Sequence, residues 1–174
     1  MENDLPKRKA IRLQGYDYAG AGYYFITVCT HDKLPILSKV SVGQGLAPAD
    51  IKATPIGIIV EKQLLDLPNR FYGVSVIKHV LMPTHLHAII GIGNVSVKTV
   101  GASPHPTLID VVRVFKSMST RLCNQLDNVI NRKIWQSSFH DHVIRNEADY
   151  LRIWQYIDEN PMRWHDDCYF VSDM

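Results

Sequence analysis

The sequence predicts an α+β fold, an antiparallel sheet with helices packed on it. Four stretches rich in β-branched and aromatic residues, 23–30, 74–82, 85–92 and 135–144, read as strands. Three stretches with apolar residues at i, i+3, i+4 and i+7 read as amphipathic helices, and they are interspersed with the strands. At 174 residues and 46% hydrophobic content the chain suits one domain, residues 1–174, with ample core.

Each element follows from local chemistry. Residues 23–30 open the sheet. Thr54-Pro55 is an N-cap followed by proline at the first helical position; the helix turns Ile56, Ile59, Val60, Leu64 and Leu67 inward and is ended by Pro68. Residues 74–82 and 85–92 are parted by Pro83-Thr84, either a tight turn or a kink in one long strand. A second helix starts at Thr107 with Leu108, Val111, Val112, Phe115, Leu122 and Leu126 on its buried face. Residues 135–144 give another strand. The last helix takes Asn146 as N-cap and places Glu147 and Asp149 in its first turn, where the helix dipole favours negative charge. Its core stripe is Tyr150, Ile153, Trp154 and Ile157. Pro161 ends it, because the residue before a proline is disfavoured in the α conformation. Residues 43–53 and 93–106 read as loops, and no repeat or low-complexity tract interrupts the pattern.

Composition narrows the function classes. Cys29, Cys123 and Cys168 are scattered, without a Cys-x-x-Cys, which argues against a disulfide framework or structural zinc site and suits a reducing cytoplasm. No apolar run approaches ~20 residues and residues 1–12 are polar, so neither a membrane span nor a secretion signal is expected. The net charge is only +2, so any nucleic-acid surface must be a local patch. Two such patches exist. One is Arg113, Lys116, Thr120, Arg121 and Asn124 on the polar side of the second helix; the other is Lys7, Arg8, Lys9 and Arg12, which could act as a mobile arm.

The chemistry concentrates in two motifs. In His85-Leu86-His87 strand alternation sends both imidazoles to one side and Leu86 to the other. Two imidazoles so placed can bind one divalent cation, and that cation can polarise a phosphate. In the last helix Tyr156 falls roughly 120° from the centre of the core stripe, with Asn160 beside it at i+4. A tyrosine hydroxyl and an amide oxygen aimed off the core could meet a metal site. A second His-x-His, His140-Asp141-His142, points Asp141 to the opposite face from its neighbours, so those three make a poor ligand set.

In order along the chain stand Arg12-Leu13-Gln14-Gly15-Tyr16-Asp17-Tyr18, Gly22-Tyr23-Tyr24-Phe25-Ile26-Thr27 and Val80-Leu81-Met82-Pro83-Thr84-His85-Leu86-His87. They are followed by Phe115-Lys116-Ser117, Trp135-Gln136, His142-Val143-Ile144-Arg145-Asn146, Tyr156-Ile157 and Asn160-Pro161. This ordered set, spanning residues 8–164, resembles the REP-associated tyrosine transposases, single-tyrosine members of the His-hydrophobic-His (HUH) nuclease superfamily. The resemblance implies a ferredoxin-like HUH endonuclease fold. It also implies Tyr156 as nucleophile and His85, His87 and Asn160 as ligands of Mg²⁺ or Mn²⁺. By the same resemblance the substrate is single-stranded or hairpin DNA, cut and rejoined through a 5′-phosphotyrosine. Lys116, within Phe-Lys-Ser, is the preferred backbone contact, with Arg113, Arg121 and Arg12 as further DNA-binding candidates and His142 as an active-site neighbour. Relatives act as monomers or as homodimers that exchange the tyrosine helix, and work in the bacterial cytoplasm on nucleoid DNA.

That assignment is chemically coherent. Tyrosine's phenol, with a free pKa near ~10, needs a nearby cation or base to attack. Two imidazoles and an amide form an uncharged set that leaves positions open for DNA oxygens. Two other classes stay open: a catalytically inactive hairpin-binding module, and a metal-dependent phosphoesterase that activates water instead of the phenol.

Overall fold

A computed structural model describes residues 21–41, 49–93 and 106–170. In chain order the elements are β1 (Gly22–Cys29), β2 (Ser38–Ser41), β3 (Asp50–Ala53), α1 (Pro55–Leu65), α2 (Leu67–Arg70), β4 (Val74–Leu81), β5 (His85–Ile92), α3 (Leu108–Leu126), β6 (His140–Ile144) and α4 (Glu147–Glu159). The main sheet has the order β4-β5-β1-β6, and every pairing in it is antiparallel. Leaving the small β2–β3 pair aside, this is β-α-β-β-α-β with two interleaved crossovers, as the ferredoxin-like expectation requires.

The helix starts follow their sequence signals. Thr54 Oγ1 accepts from Gly57 N at 3.0 Å, Thr107 Oγ1 accepts from Asp110 N at 3.2 Å, and Asn146 Oδ1 accepts from Asp149 N at 2.9 Å. Each satisfies a backbone donor that the first turn leaves free. Pro83-Thr84 is the turn of a hairpin: Met82 N donates to His85 O at 2.9 Å, and Leu81 pairs with Leu86.

Several expectations are corrected. Pro68 does not simply end α1, which stops at Leu65; it lies in the first turn of α2, where its missing N–H is harmless. The buried stripe of α3 runs through Ser119 and Cys123, while Leu126 is exposed and Leu122 only partly covered. Small side chains serve there because Ser119 Oγ accepts the Trp135 indole N–H at 2.9 Å and Cys123 Sγ lies against the α1 backbone at Ile56. The strand expected over 135–144 shrinks to β6, with only a bridge from Trp135 to Thr30 before it. Residues 50–53, read as loop, are β3. Asn160 keeps α geometry before Pro161 (φ −54°, ψ −43°), so the helix ends there through proline's missing donor rather than through the residue ahead of it.

The sheet has two differently dressed faces. Tyr24, Ile26, Val28, Leu86, Ala88, Ile90 and Ile92 pack with α1 and α3 in the larger core. Here α1 comes so close that a Cβ on Gly57 would sit 1.9 Å from the Leu37 carbonyl oxygen. On the reverse face Val80, Ile89, Ile144, Ile153, Ile157 and Trp164 form a second core under α4 and the segment after it. The candidate site residues His85, His87, Tyr156 and Asn160 lie on that reverse face.

Candidate functional site

His85 and His87 are both buried on β5, with ring centroids 4.5 Å apart. Each is oriented by a threonine. His87 Nδ1 is 2.8 Å from Thr27 Oγ1, its neighbour across β1, and His85 Nδ1 is 3.2 Å from Thr84 Oγ1. Thr84 Oγ1 in turn donates to the Tyr169 carbonyl at 3.0 Å. With both Nδ1 atoms engaged by hydroxyls, the Nε2 atoms face the space under α4. That is the usual way an outer hydrogen bond sets a ligating imidazole.

Helix α4 brings the other chemistry. Tyr156 is 43% exposed, and its hydroxyl lies 3.3 Å from His87 Nε2 while its ring meets Phe25 edge-on. Asn160 is 4% exposed and donates from Nδ2 to Asp167 Oδ2 at 3.1 Å. The turn after α4 closes over the histidines, with the Tyr169 ring centroid 4.6 Å from that of His85. Asp167 Oδ2 reaches within 3.9 Å of His85 Nε2, while Asp167 Oδ1 accepts from Tyr169 N at 2.7 Å.

A divalent cation fits this donor set. Two buried atoms here, His85 Nε2 and Asn160 Oδ1, have no hydrogen-bond partner among the described residues, and both are ligand atoms that a divalent cation would satisfy. His85, His87 and Asp167 offer ligand atoms all within 4.8 Å of one another. Burial pushes the His85 pKa down to about 4, against the opposing pull of Asp167 and Asn160. Burial, reinforced by His85, also holds His87 well below its ordinary value. Both imidazoles therefore stay neutral near pH 7, as metal ligands must. Burial and the Asp167 charge raise the Tyr156 phenol above its ordinary value. Asp167 adds a carboxylate beside the uncharged set expected from the sequence.

The other candidates lie elsewhere. Helix α3 packs on the opposite sheet face, so Arg113, Lys116 and Arg121 do not stand beside the histidines. Lys116 Nζ is spent on the carbonyls of Gln136, Ser137 and Ser138 at 2.5, 3.0 and 3.4 Å. Arg113 pairs with Asp110 at 3.0 Å. Arg121 lines a groove of about 660 Å³ with Arg113, Arg132 and Lys133. His142 is exposed and its Nε2 lies 2.7 Å from Asp149 Oδ2, tying β6 to the start of α4. Arg12, with the rest of the basic arm, lies outside the described residues. Asp167, Thr27 and Thr84 escaped the sequence reading. Asp167 sits in an aperiodic stretch, and the threonines looked like ordinary strand and turn residues.

Comparison with known proteins agrees with this architecture. No protein-family model matches the chain. An uncharacterised protein of Haemophilus influenzae is 30% identical over 177 residues, covering 95% of this chain and 94% of that protein. Among solved structures, a REP-associated tyrosine transposase bound to a REP hairpin is similar at a TM-score of 0.56 and 21% identity, over 82% of this chain and 67% of that one. A candidate transposase from Deinococcus radiodurans is similar at 0.50 and 17%, over 85% and 95%.

Proposed function

The chain belongs to one family with the Haemophilus influenzae protein and has the REP-associated tyrosine transposase fold; from that premise we propose that it is a transposase, a metal-dependent single-stranded DNA endonuclease and strand transferase acting on hairpin or repeat DNA. The observation that carries this reading is the half-exposed Tyr156 hydroxyl, 3.3 Å from the ring nitrogen of a buried, neutral histidine pair.

In this reading Tyr156 is the nucleophile. A bond forms from the phenol oxygen to the scissile phosphorus, and the bond from phosphorus to the 3′ oxygen breaks. The phenol's proton ends on that oxygen as a free 3′-OH, leaving a 5′-phosphotyrosine. Because the adduct keeps the energy of the broken linkage, a second 3′-OH rejoins DNA without a nucleotide triphosphate. His85, His87 and Asn160, with Asp167 as a further donor, would hold Mg²⁺ or Mn²⁺, which would supply Lewis acidity for the phosphate and the phenol. Thr27 and Thr84 hold the imidazoles in the ligating orientation. A pocket of about 420 Å³ lined by Tyr156, Asn160, Arg163 and Asp167 receives the scissile strand.

The DNA stem lies against the basic groove on α3, where Arg121 and Lys133 are exposed and form no ion pair among the described residues, with Arg113 beside them; Arg12, outside the described residues, stays a further DNA-binding candidate. Lys116 serves by shaping this groove through its three carbonyl contacts. Among the described residues no helix is long and apolar enough to cross a bilayer.

The carboxylate of Asp167 in the cluster also suits an ion that activates water, which keeps a phosphoesterase as the second reading. One experiment separates them. The protein is incubated with a labelled DNA hairpin and Mn²⁺ and resolved under denaturing conditions. A transferase gives a denaturant-resistant conjugate that Tyr156→Phe abolishes, a loss of at least ~10³-fold. Cleavage that survives Tyr156→Phe without a conjugate identifies the phosphoesterase, and binding without cleavage identifies an inactive hairpin-binding module.

A further inference from the structure

Strand β4 changes face halfway along its length. Val74 and Val76 belong to the core under α1 and α3. Unbroken alternation would send Lys78 the same way and His79 to the other side. Instead the pairing with β5 steps from Val76↔Ile90 to Lys78↔Ile89, so Ile77 is an extra residue, a β-bulge. Beyond it the faces are exchanged. His79 reaches Glu61 of α1 at 2.8 Å, Val80 joins the core under α4, and Leu81 joins the other.

The exchange delivers Lys78 to α4. Its side chain is 16% exposed, its Nζ lies 2.6 Å from Asp158 Oδ1, and it stands 4.0 Å from the centroid of the Trp154 ring. Trp154 and Asp158 are one turn apart and share one flank of α4, while Ile153 and Ile157 face the sheet and Tyr156 and Asn160 occupy the other flank. A grip on one flank fixes the roll of the helix about its axis. At a radius of roughly 8 Å, a roll of about 15° moves the phenol oxygen by about 2 Å. A misplacement of that order is enough to cost about 10²-fold in rate. The start of the helix is tied separately, through His142 and Asp149.

We propose that Lys78, aimed by the Ile77 bulge, is a positioning residue that clamps the Trp154–Asp158 flank of α4 and so holds Tyr156 over the histidine pair. It touches neither DNA nor the ion. As a statement about strand transfer it rests on the function proposed above, so its test reads both the chemistry and the helix.

The full chain carrying Lys78→Met, which keeps the aliphatic stem and removes the charge, is compared with wild type and with Lys78→Arg. Three quantities are measured: the single-turnover rate of the hairpin conjugate, the hairpin and Mn²⁺ dissociation constants, and hydrogen exchange of the α4 amides. The clamp predicts that Lys78→Met slows conjugate formation about tenfold or more while both dissociation constants stay within about twofold. It also predicts exchange in α4 rising on the order of fivefold, and Lys78→Arg recovering to within about threefold of wild type on both readouts. A wild-type conjugate rate in Lys78→Met, wild-type exchange in α4, or a loss explained by weaker hairpin binding overturns the clamp. If wild type forms no conjugate but α4 loosens in Lys78→Met, the transferase reading falls and the clamp on the helix stands.

Discussion

Along β5, alternate residues live in two different chemistries at the same depth. All eight positions are buried. Leu86, Ala88, Ile90 and Ile92 meet α1 and α3 in an apolar core, where burial is rewarded by the area removed from water. His85 and His87, one residue out of phase, meet α4, with a polar atom left unpaired and pKa values driven down by the same depth. Burial of the apolar side chains is a source of stability on both faces; burial of the two imidazoles is a cost, tolerated where a ligand repays it. The imidazole pair is thus part of the sheet itself, set by strand geometry, while α4 and the turn after it bring the remaining groups of the candidate site.

The sharpest break of this comparison is a pair of neighbouring truncations. Leu86→Ala should lower unfolding free energy by about 3 kcal/mol and leave the Mn²⁺ affinity of the folded protein near wild type. His85→Ala should do the reverse, costing at least about 100-fold in Mn²⁺ affinity with a smaller stability change, because it removes an imbalance as well as packing. Urea unfolding and Mn²⁺ titration on both variants check this; matching profiles would erase the distinction between the faces.

Acid probes the buried imidazoles directly. In the unfolded chain His85 takes up its proton near its ordinary 6.5, but in the native chain only near 4. Between those values the unfolded state binds more protons, so the metal-free protein loses stability as pH falls from 6.5 toward 4, by up to roughly 3 kcal/mol, and this group contributes no change above 7. Unfolding in chelator at pH 7 and pH 5 measures the slope; equal stabilities would contradict the buried, neutral imidazole.

A gentler probe is Thr27→Val, which keeps the shape of the side chain and deletes the hydroxyl at His87 Nδ1. Metal affinity should fall about tenfold while stability changes by less than about 1 kcal/mol. An unchanged affinity would mean that packing alone, including the Phe25 ring stacked 5.2 Å from His87, orients the imidazole.

What the sequence revealed, and what it hid, follows the same division. Periodicity marked α1, α3 and α4, runs of β-branched and aromatic residues marked β1, β4 and β5, and His85-Leu86-His87 stood out because alternation makes its consequence unavoidable. Tyr156 lay off its helix's stripe, and the family resemblance supplied its expected role as nucleophile. The features that escaped are those decided by contacts between distant segments. Ser119 and Cys123 are buried because Trp135 and α1 lean on them. The Ile77 bulge has no glycine or proline to announce it. Asp167 lies in an irregular turn whose place is set by Trp164 packing under α4 and by the Tyr169 carbonyl bonded to Thr84. The faces of α1 and α3 relative to α4 were equally hidden, so the sequence did not reveal that the α3 patch with Arg113 and Arg121 packs across the sheet from the histidines.

The central claim is that the histidine face holds one divalent cation beside Tyr156. Anomalous diffraction from crystals soaked in Mn²⁺ tests it most directly. The account predicts a single strong peak between His85 Nε2, His87 Nε2 and Asn160 Oδ1, within reach of the Tyr156 hydroxyl. A peak on surface carboxylates alone, with the two imidazoles bare, would contradict it.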